Sequence, residues 1–157
     1  MKISKSKTYN HIGLNDVKAH LRINQDFVDD DSYLKMLIKT ATRIAEEYIG
    51  DDIALTTTTI EDYDVSDYQY VIHTPNILAI SGITGDSTVI TGYSLFNYFN
   101  YSVLEFNDNA GNNSSIDVDD LRIIYTSGYS TETIDDNMKH AILVKIAELY
   151  DVNRSGY

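Results

Sequence analysis

The stretch Asp31–Gly50, DSYLKMLIKTATRIAEEYIG, decides the fold class because it carries the strongest periodic pattern in the chain. Its apolar residues recur at steps of three and four, the spacing of one face of an α-helix. Asp30 or Asp31 can cap the start, and Gly50 stands where helices often end in the left-handed conformation. The pattern predicts a helix over residues 31–49. The side chains expected in the core are Leu34, Leu37, Ile38, Ala41, Ile44, Ala45 and Tyr48.

Two further helical patterns lie on either side of this stretch. Residues 15–22 form the shorter one, in which Asn15 is the expected N-cap and Val17 and Leu21 share a face. Residues 134–151 form the other. At its start, Thr133 and Asp136 have the spacing of a capping box. Its predicted apolar face consists of Met138, Ala141, Ile142, Ile146, Leu149 and Tyr150.

Residues 53–129 have a different composition, typical of β-structure. They are rich in Thr, Val, Ile, Tyr and Phe, interrupted by Gly, Asn and Asp, and indicate five or six short strands. The polar run 107–115, NDNAGNNSS, is expected to be an exposed hairpin loop. We therefore predict an α+β fold, a small helical bundle with an inserted antiparallel β-rich region. A chain of 157 residues has the length of one domain, expected to span residues 1–157.

The charge distribution restricts the possible partners. The chain has 12 basic and 24 acidic residues, a net charge of −12, and no Lys or Arg between Arg43 and Arg122. Tight binding to nucleic acid needs Lys and Arg to neutralise phosphates, so a conventional nucleic-acid reader is not expected. The acidic surface alternatively serves only solubility.

Motifs for catalysis and metal binding are missing from the sequence. The absence of cysteine excludes disulfides and thiolate chemistry, and no histidine pair has the spacing of a helical zinc site. Ser32 and Lys35 match an SxxK string without its companion motifs, which indicates a chance match. We therefore expect no catalytic residue, no cofactor and no metal site, although paired carboxylates cannot be judged from sequence.

Tyrosine is abundant in the strand region, and no segment is apolar over the length of a membrane span. Of the 13 tyrosines, Tyr68, Tyr70, Tyr93, Tyr98 and Tyr101 are concentrated there. They serve either a contact surface or the half-buried face of a sheet, and both interpretations stay open. The longest apolar runs fall short of a membrane span, so a soluble, intracellularly made protein with no membrane contact is expected.

Four strings, in this order, resemble the tailed-phage head–tail connector family, also called head-completion or adaptor proteins. They are LNDVKAHLRIN, YLKMLIKTATRIAEEYIGDDI, HTPNILAISGIT and LRIIYTSGYSTETIDDNMKHAILVKIAELYDVNR. Asp135 stands where the family commonly has proline, and residues 84–120 have no counterpart and fit an enlarged hairpin or loop insertion. The matching positions are Leu14, Lys18, His20, Leu21, Arg22, Ile23, Tyr48, Gly50, Pro75, Ile80, Tyr125, Gly128, Tyr129, Lys139, Ala141, Tyr150 and Arg154.

The resemblance implies a non-enzymatic structural protein of the virion, assembled in the host cytoplasm and located at the head–tail junction. Such proteins form a homo-oligomeric ring below the portal protein, extend the DNA channel and join the head to a downstream neck or tail-completion protein. DNA passes through without specific binding, and an acidic channel wall would repel its phosphates.

The resemblance also places the C-terminal helix toward the portal. The expected contacts with the portal or a neighbour are Leu149, Tyr150, Val152 and Arg154, since Tyr and Arg are favoured interface anchors. Alternatively, Tyr150 completes the domain core and Arg154 is solvated. Two other functions stay open, a small β-rich module that binds a surface or carbohydrate and a carboxylate-dependent hydrolase.

Overall fold

The structure, a computed structural model, describes residues 1–108 and 110–154, with side chains up to Asp151. The described chain is mixed α+β, as predicted. Its helices are α1 (Leu14–Leu21), α2 (Asp31–Ile49) and α3 (Asp136–Arg154). Its strands are β1 (Lys2–Thr8), β2 (Leu55–Asp67), β3 (Gln69–Ile72), β4 (Ala79–Gly85), β5 (Thr88–Val89), β6 (Tyr93–Asn97), β7 (Ser102–Phe106) and β8 (Ile116–Ser127).

Where the sequence predicts one domain, the chain divides into two compact units. The strand unit comprises Met1–Lys7 and Thr56–Gly128. The helical unit comprises Thr8–Leu55 and the chain from Tyr129 onward. The strand unit thus covers the predicted β-rich region with β1 added, but its described residues form seven strands there, β2–β8, where five or six are predicted.

Two antiparallel sheets make up the strand unit. One has the order β1-β2-β8-β4-β5 and the other β3-β7-β6. The long strands β2 and β8 pair from Thr56 opposite Ser127 to Asp67 opposite Ile116. Alternate residues of a strand lie on the same face of its sheet. The inward-facing side chains of the two sheets pack together in one core. This core contains Ile60, Ile72, Ile77, Ile83, Leu104, Phe106, Leu121, Ile123 and Tyr125.

All three helices of the helical unit contribute to a second core. Leu34, Leu37, Ile38 and Ala41 of α2 are buried, and Ala45 packs partly buried against them. Side chains of α1, α3 and neighbouring loops complete this core: Ile12, Val17, Ile53, Ile134, Ile142, Ile146 and Tyr150.

Two of the predicted core positions on α2 are wrong. Ile44 is 40% exposed and Tyr48 is 92% exposed. Toward the end of α2 the buried side of the helix turns to Thr42 and Glu46, which make hydrogen bonds inside the unit. Ile44 and Tyr48 therefore lie on the solvent side, although their spacing continues the apolar pattern.

The ends of the helices also differ in part from the predictions. Helix α1 begins at Leu14 with Gly13 as its N-cap, not at Asn15. Before α3, Asp135 Oδ1 accepts the N–H of Asn137 at 2.9 Å, whereas Thr133 Oγ1 accepts the N–H of Ser130 in the preceding turn. The helix is thus capped by Asp135 rather than by the predicted box. Gly50 ends α2 in the left-handed conformation, at φ 74°, as expected.

Candidate interaction surfaces

Several residues of the sequence strings described above have structural roles. Lys18 is buried, and its Nζ lies 2.7 Å from Asp31 Oδ1 while donating to the carbonyls of Gln25 and Phe27. Tyr125 is buried, with its hydroxyl 2.8 Å from Thr74 Oγ1. These side chains hold loops in place and are not available to a partner.

A polar network organises the inner side of α2. Glu46 Oε1 accepts the N–H groups of Ile53 and Ala54, both at 2.9 Å. These are backbone donors of the segment leading into β2, and burial would leave them unsatisfied without the carboxylate. Glu46 therefore holds the segment that follows α2 within the helical unit.

His11 is buried beside the same side of α2, with its Nε2 2.9 Å from Thr42 Oγ1. The Thr42 hydroxyl donates to the carbonyl of Ile38 at 2.7 Å, so it accepts from His11 Nε2–H. Nδ1 is then the unprotonated nitrogen, and it has no hydrogen-bond partner among the described residues. Burial lowers the pKa of His11, and the nearby charge of Glu46 opposes this shift.

The predicted interface at the end of α3 is only partly available for contact. Tyr150 is 6% exposed, lies against Tyr33 and donates its hydroxyl to Asp30 Oδ2 at 3.0 Å. Leu149 packs partly buried against the helical core. Tyr150 is thus a core residue, as the alternative interpretation held, because its ring fills the space between α2 and α3. The side chains of Val152 and Arg154 lie outside the described residues.

The hairpin β6–β7 ends in an exposed aromatic tip. We define the aromatic tip as Phe96, Tyr98, Phe99 and Tyr101, of which Phe99 is 93% exposed. The rings of Tyr98 and Tyr101 stack with centroids 4.9 Å apart and planes at 20°. No charged residue occurs from Ser87 to Leu104. The tip is therefore an apolar, uncharged projection of the strand unit.

Hydrogen bonds below the tip hold it in shape. Asn97 Oδ1 accepts the N–H of Ile77 at 3.3 Å, and Asn97 Nδ2 donates to the carbonyl of Ile77 at 3.0 Å. The hydroxyl of Ser102, opposite Asn97 in the hairpin, lies 2.8 Å from the carbonyl of Thr74. The Tyr98 N–H donates to the Tyr101 carbonyl at 2.8 Å and closes the turn. Because the tip is ordered in advance, less conformational entropy is lost when a partner binds it.

Helix α2 has a second exposed apolar surface on its solvent side. We define the α2 stripe as Met36, Ile44 and Tyr48, which stand at multiples of four residues with Thr40 between them. Residues four apart are neighbours on a helix surface, and because each step of four turns by about 40°, the stripe winds around the solvent side of α2 from Met36 to Tyr48. A row of exposed basic residues, Lys35, Lys39 and Arg43, runs beside the stripe. This face combines apolar contacts with positive charge in an otherwise acidic chain.

A shallow cleft on the strand unit tests the hydrolase alternative. It measures about 490 Å³ and contains Glu61, Asp62, Asp120 and Arg122. A general acid needs a carboxyl with a raised pKa. The hydrogen bond from the Tyr70 hydroxyl, 2.7 Å long, instead lowers the pKa of Asp62. Asp62 therefore lacks the raised pKa that the general acid of a carboxylate hydrolase needs.

Neither a metal-ligand cluster nor a helix able to span a membrane occurs among the described residues. Residues 1–108 and 110–151 bring no three His, Asp or Glu side chains together in a group that could hold a metal ion. Within the described helices, none combines the length and the apolar composition needed to cross a bilayer.

Sequence reasoning missed the two exposed apolar surfaces, although signals for both were present. Phe99 lies between Asn97 and Asn100 in LFNYFNY, a loop-like setting in which a large ring has little chance of burial. Of the five tyrosines named in the sequence analysis, Tyr68, Tyr98 and Tyr101 are exposed, whereas Tyr70 and Tyr93 are half-buried. The half-buried interpretation thus holds for Tyr70 and Tyr93, and a contact role for the exposed three stays a prediction.

Solved structures with a similar fold come from gene transfer agent (GTA) particles. The neck of the empty GTA particle computed with C6 symmetry gives a TM-score of 0.72 at 14% identity, and the virion of the native particle gives 0.73 at 12%. The neck of the native particle computed with C12 symmetry gives 0.66 at 13%. Each match covers 96% of this chain and 84% of the other. At these identities the matches show a common fold.

A search of curated proteins gives no match. A family model described as Phage gp6-like head-tail connector protein matches residues 11–80, from His11 through α1, α2, β2 and β3 to the start of β4. This match covers somewhat less than half of the chain, and it confirms the resemblance to head–tail connectors that the sequence indicates.

Proposed function

We propose that this protein is a structural, non-enzymatic component of a phage-like particle, located at the head–tail junction. In this proposal it forms a homo-oligomeric ring below the portal, extends the DNA channel and joins the head to the neck or tail. The observation that carries the proposal is the connector match of residues 11–80. The fold likeness to particles that include necks, extending over nearly the whole chain, adds support.

The charge of the strand unit fits a channel component. Between residues 56 and 128 the chain carries ten carboxylates and a single basic residue, Arg122. With ten carboxylates against Lys2, Lys5, Lys7 and Arg122, the strand unit has few cations to displace the counterions of duplex DNA, and its net negative potential repels phosphates. DNA can then slide past it without sticking.

The portal contact is assigned in this proposal to the last turn of α3, after Tyr150. Tyr150 itself is committed to the core, so a partner would have to contact residues 151–154. Deleting residues 152–157 should then weaken binding to the portal and leave the helical unit folded.

The test is addition of purified protein to DNA-filled, portal-bearing heads that lack it, followed by gradient sedimentation. We expect the full-length protein to co-sediment with these heads and not with shells that lack the portal. We also expect no retardation of duplex DNA in a gel at low salt. Failure to join portal-bearing heads, or tight DNA binding, would overturn the proposal.

A further inference from the structure

The two most exposed large apolar side chains of the described residues lie on different surfaces. Phe99 of the aromatic tip is 93% exposed and Tyr48 of the α2 stripe is 92% exposed. Leaving large aromatic rings in water forgoes the free energy of burying them, about 25 cal/mol per Å² of apolar area. Exposed apolar surfaces of this kind commonly mark protein interaction sites.

We propose that the aromatic tip of one copy docks on the α2 stripe of a second copy. This inference rests on the proposed ring, because a ring requires a head-to-tail contact between two different surfaces of the same chain. An isologous dimer would require only one self-complementary surface. The chain offers two unlike surfaces, one a projection and the other a helix face.

Charge favours a second copy as the occupant. Two acidic copies, each with a net charge of −12, repel each other except where charge is absent or reversed. The tip lies within a segment, Ser87–Leu104, that has no charged residue, and Lys35, Lys39 and Arg43 lie beside the Met36–Ile44 part of the stripe. The basic row can face the carboxylates of the neighbour's strand unit, which carries ten carboxylates against four basic residues, Lys2, Lys5, Lys7 and Arg122. At the tip and at the basic row, the repulsion between two acidic copies therefore does not oppose contact.

The chemistry of the two surfaces is also complementary. Cations favour the faces of aromatic rings within about 6 Å of the centroid. Arg43 neighbours Met36 and Ile44 on the helix surface, so an aromatic ring of the tip placed on that part of the stripe would combine apolar burial with cation–π attraction. Phe99 rises from a turn held by the stacked pair Tyr98 and Tyr101, which suits a rigid anchor entering a partner surface.

Proximity can be tested by cross-linking, because the natural chain contains no cysteine. Phe99→Cys and Tyr48→Cys proteins are mixed and treated with a short bismaleimide. The matched control replaces Tyr48→Cys with Val89→Cys, a 67% exposed position of β5 that belongs to neither surface. We expect the Phe99–Tyr48 pair to cross-link into dimers at several times the yield of the control. Equal yields would overturn the inference.

Assembly provides a second test with single substitutions of exposed side chains. Phe99→Ser and Tyr48→Ser should each raise the concentration needed for assembly roughly tenfold or more, the effect of losing an interface anchor. Val89→Ser should leave it unchanged. An equal mixture of the two variants should give dimers, because only one intact tip can meet one intact stripe.

The outcomes separate this inference from the proposed function. If the natural protein forms rings and both variants form them equally well, the docking inference fails and the ring stands. If the natural protein stays monomeric but the cross-link is selective, the contact is supported and the ring is contradicted. A monomeric protein without a selective cross-link overturns both.

Discussion

The ammonium group of Lys18 lies 2.7 Å from the carboxylate of Asp31 and connects helices α1 and α2. The same group donates to two carbonyls of the intervening loop, at Gln25 and Phe27. One buried cation thereby fixes the end of α1, the loop and the first turn of α2. The lysine in the sequence string LNDVKAHLRIN is therefore a structural residue.

Replacing Lys18 should destabilise the helical unit. Lys18→Met leaves Asp31 and two carbonyls without their donor, and breaking a buried ion pair costs about 3 kcal/mol or more. The free energy of unfolding in urea measures this loss. Lys35→Met, at an exposed position of α2, is the control and should change stability by less than about 0.5 kcal/mol. Equal effects of both substitutions would contradict the role of Lys18.

Glu46 should be much more important for stability than its neighbour Glu47. Glu46→Ala leaves the N–H groups of Ile53 and Ala54 without their acceptor, at a cost of about 1–3 kcal/mol for each buried group. Glu47→Ala removes an exposed carboxylate and should have little effect. Chemical denaturation of the two variants measures the difference in the free energy of unfolding. A loss below about 1 kcal/mol for Glu46→Ala would contradict its role as the acceptor of these two N–H groups.

Leu37 and Ile44 should respond differently to truncation, although both belong to the apolar pattern of α2. Leu37 is buried, so Leu37→Ala should cost about 2–5 kcal/mol. Ile44 is 40% exposed, and Ile44→Ala should cost less than about 1 kcal/mol when the protein is measured as a monomer. Comparable losses at the two positions would mean that Ile44 is covered by the core after all.

His11 should make stability depend on pH. Its folded-state pKa is lowered, so the unfolded chain binds the proton more readily below pH about 6.5. The stabilisation is therefore fully present above that pH and is lost as the pH falls through the folded-state value. Urea unfolding at pH 7.5 and 5.5 should show a smaller difference for His11→Leu than for the natural protein. An identical difference would exclude His11 as the titrating group, since the other three histidines are exposed.

The sequence predicted those elements whose signals are local and periodic. Helix α2 has the predicted bounds because its apolar spacing and Gly50 mark both the face and the end. Strand β1 was missed because KISKSKT is an exposed strand rich in lysine, without an apolar face. The burial of Lys18 could not be predicted, since its partners include backbone carbonyls that leave no sequence signal. Ile44 and Tyr48 were wrongly predicted to be buried. Their apolar spacing does not show that, toward the end of α2, Thr42 and Glu46 occupy the buried side of the helix.

The central claim is that copies of this chain assemble head to tail into a closed ring. Mass photometry of the purified protein over a range of concentrations tests it most directly, since each chain adds 17.7 kDa. The account predicts a transition from monomers to a single species of fixed copy number that does not grow further. A mass that stays at one or two chains at every concentration, or that increases without limit, would contradict it.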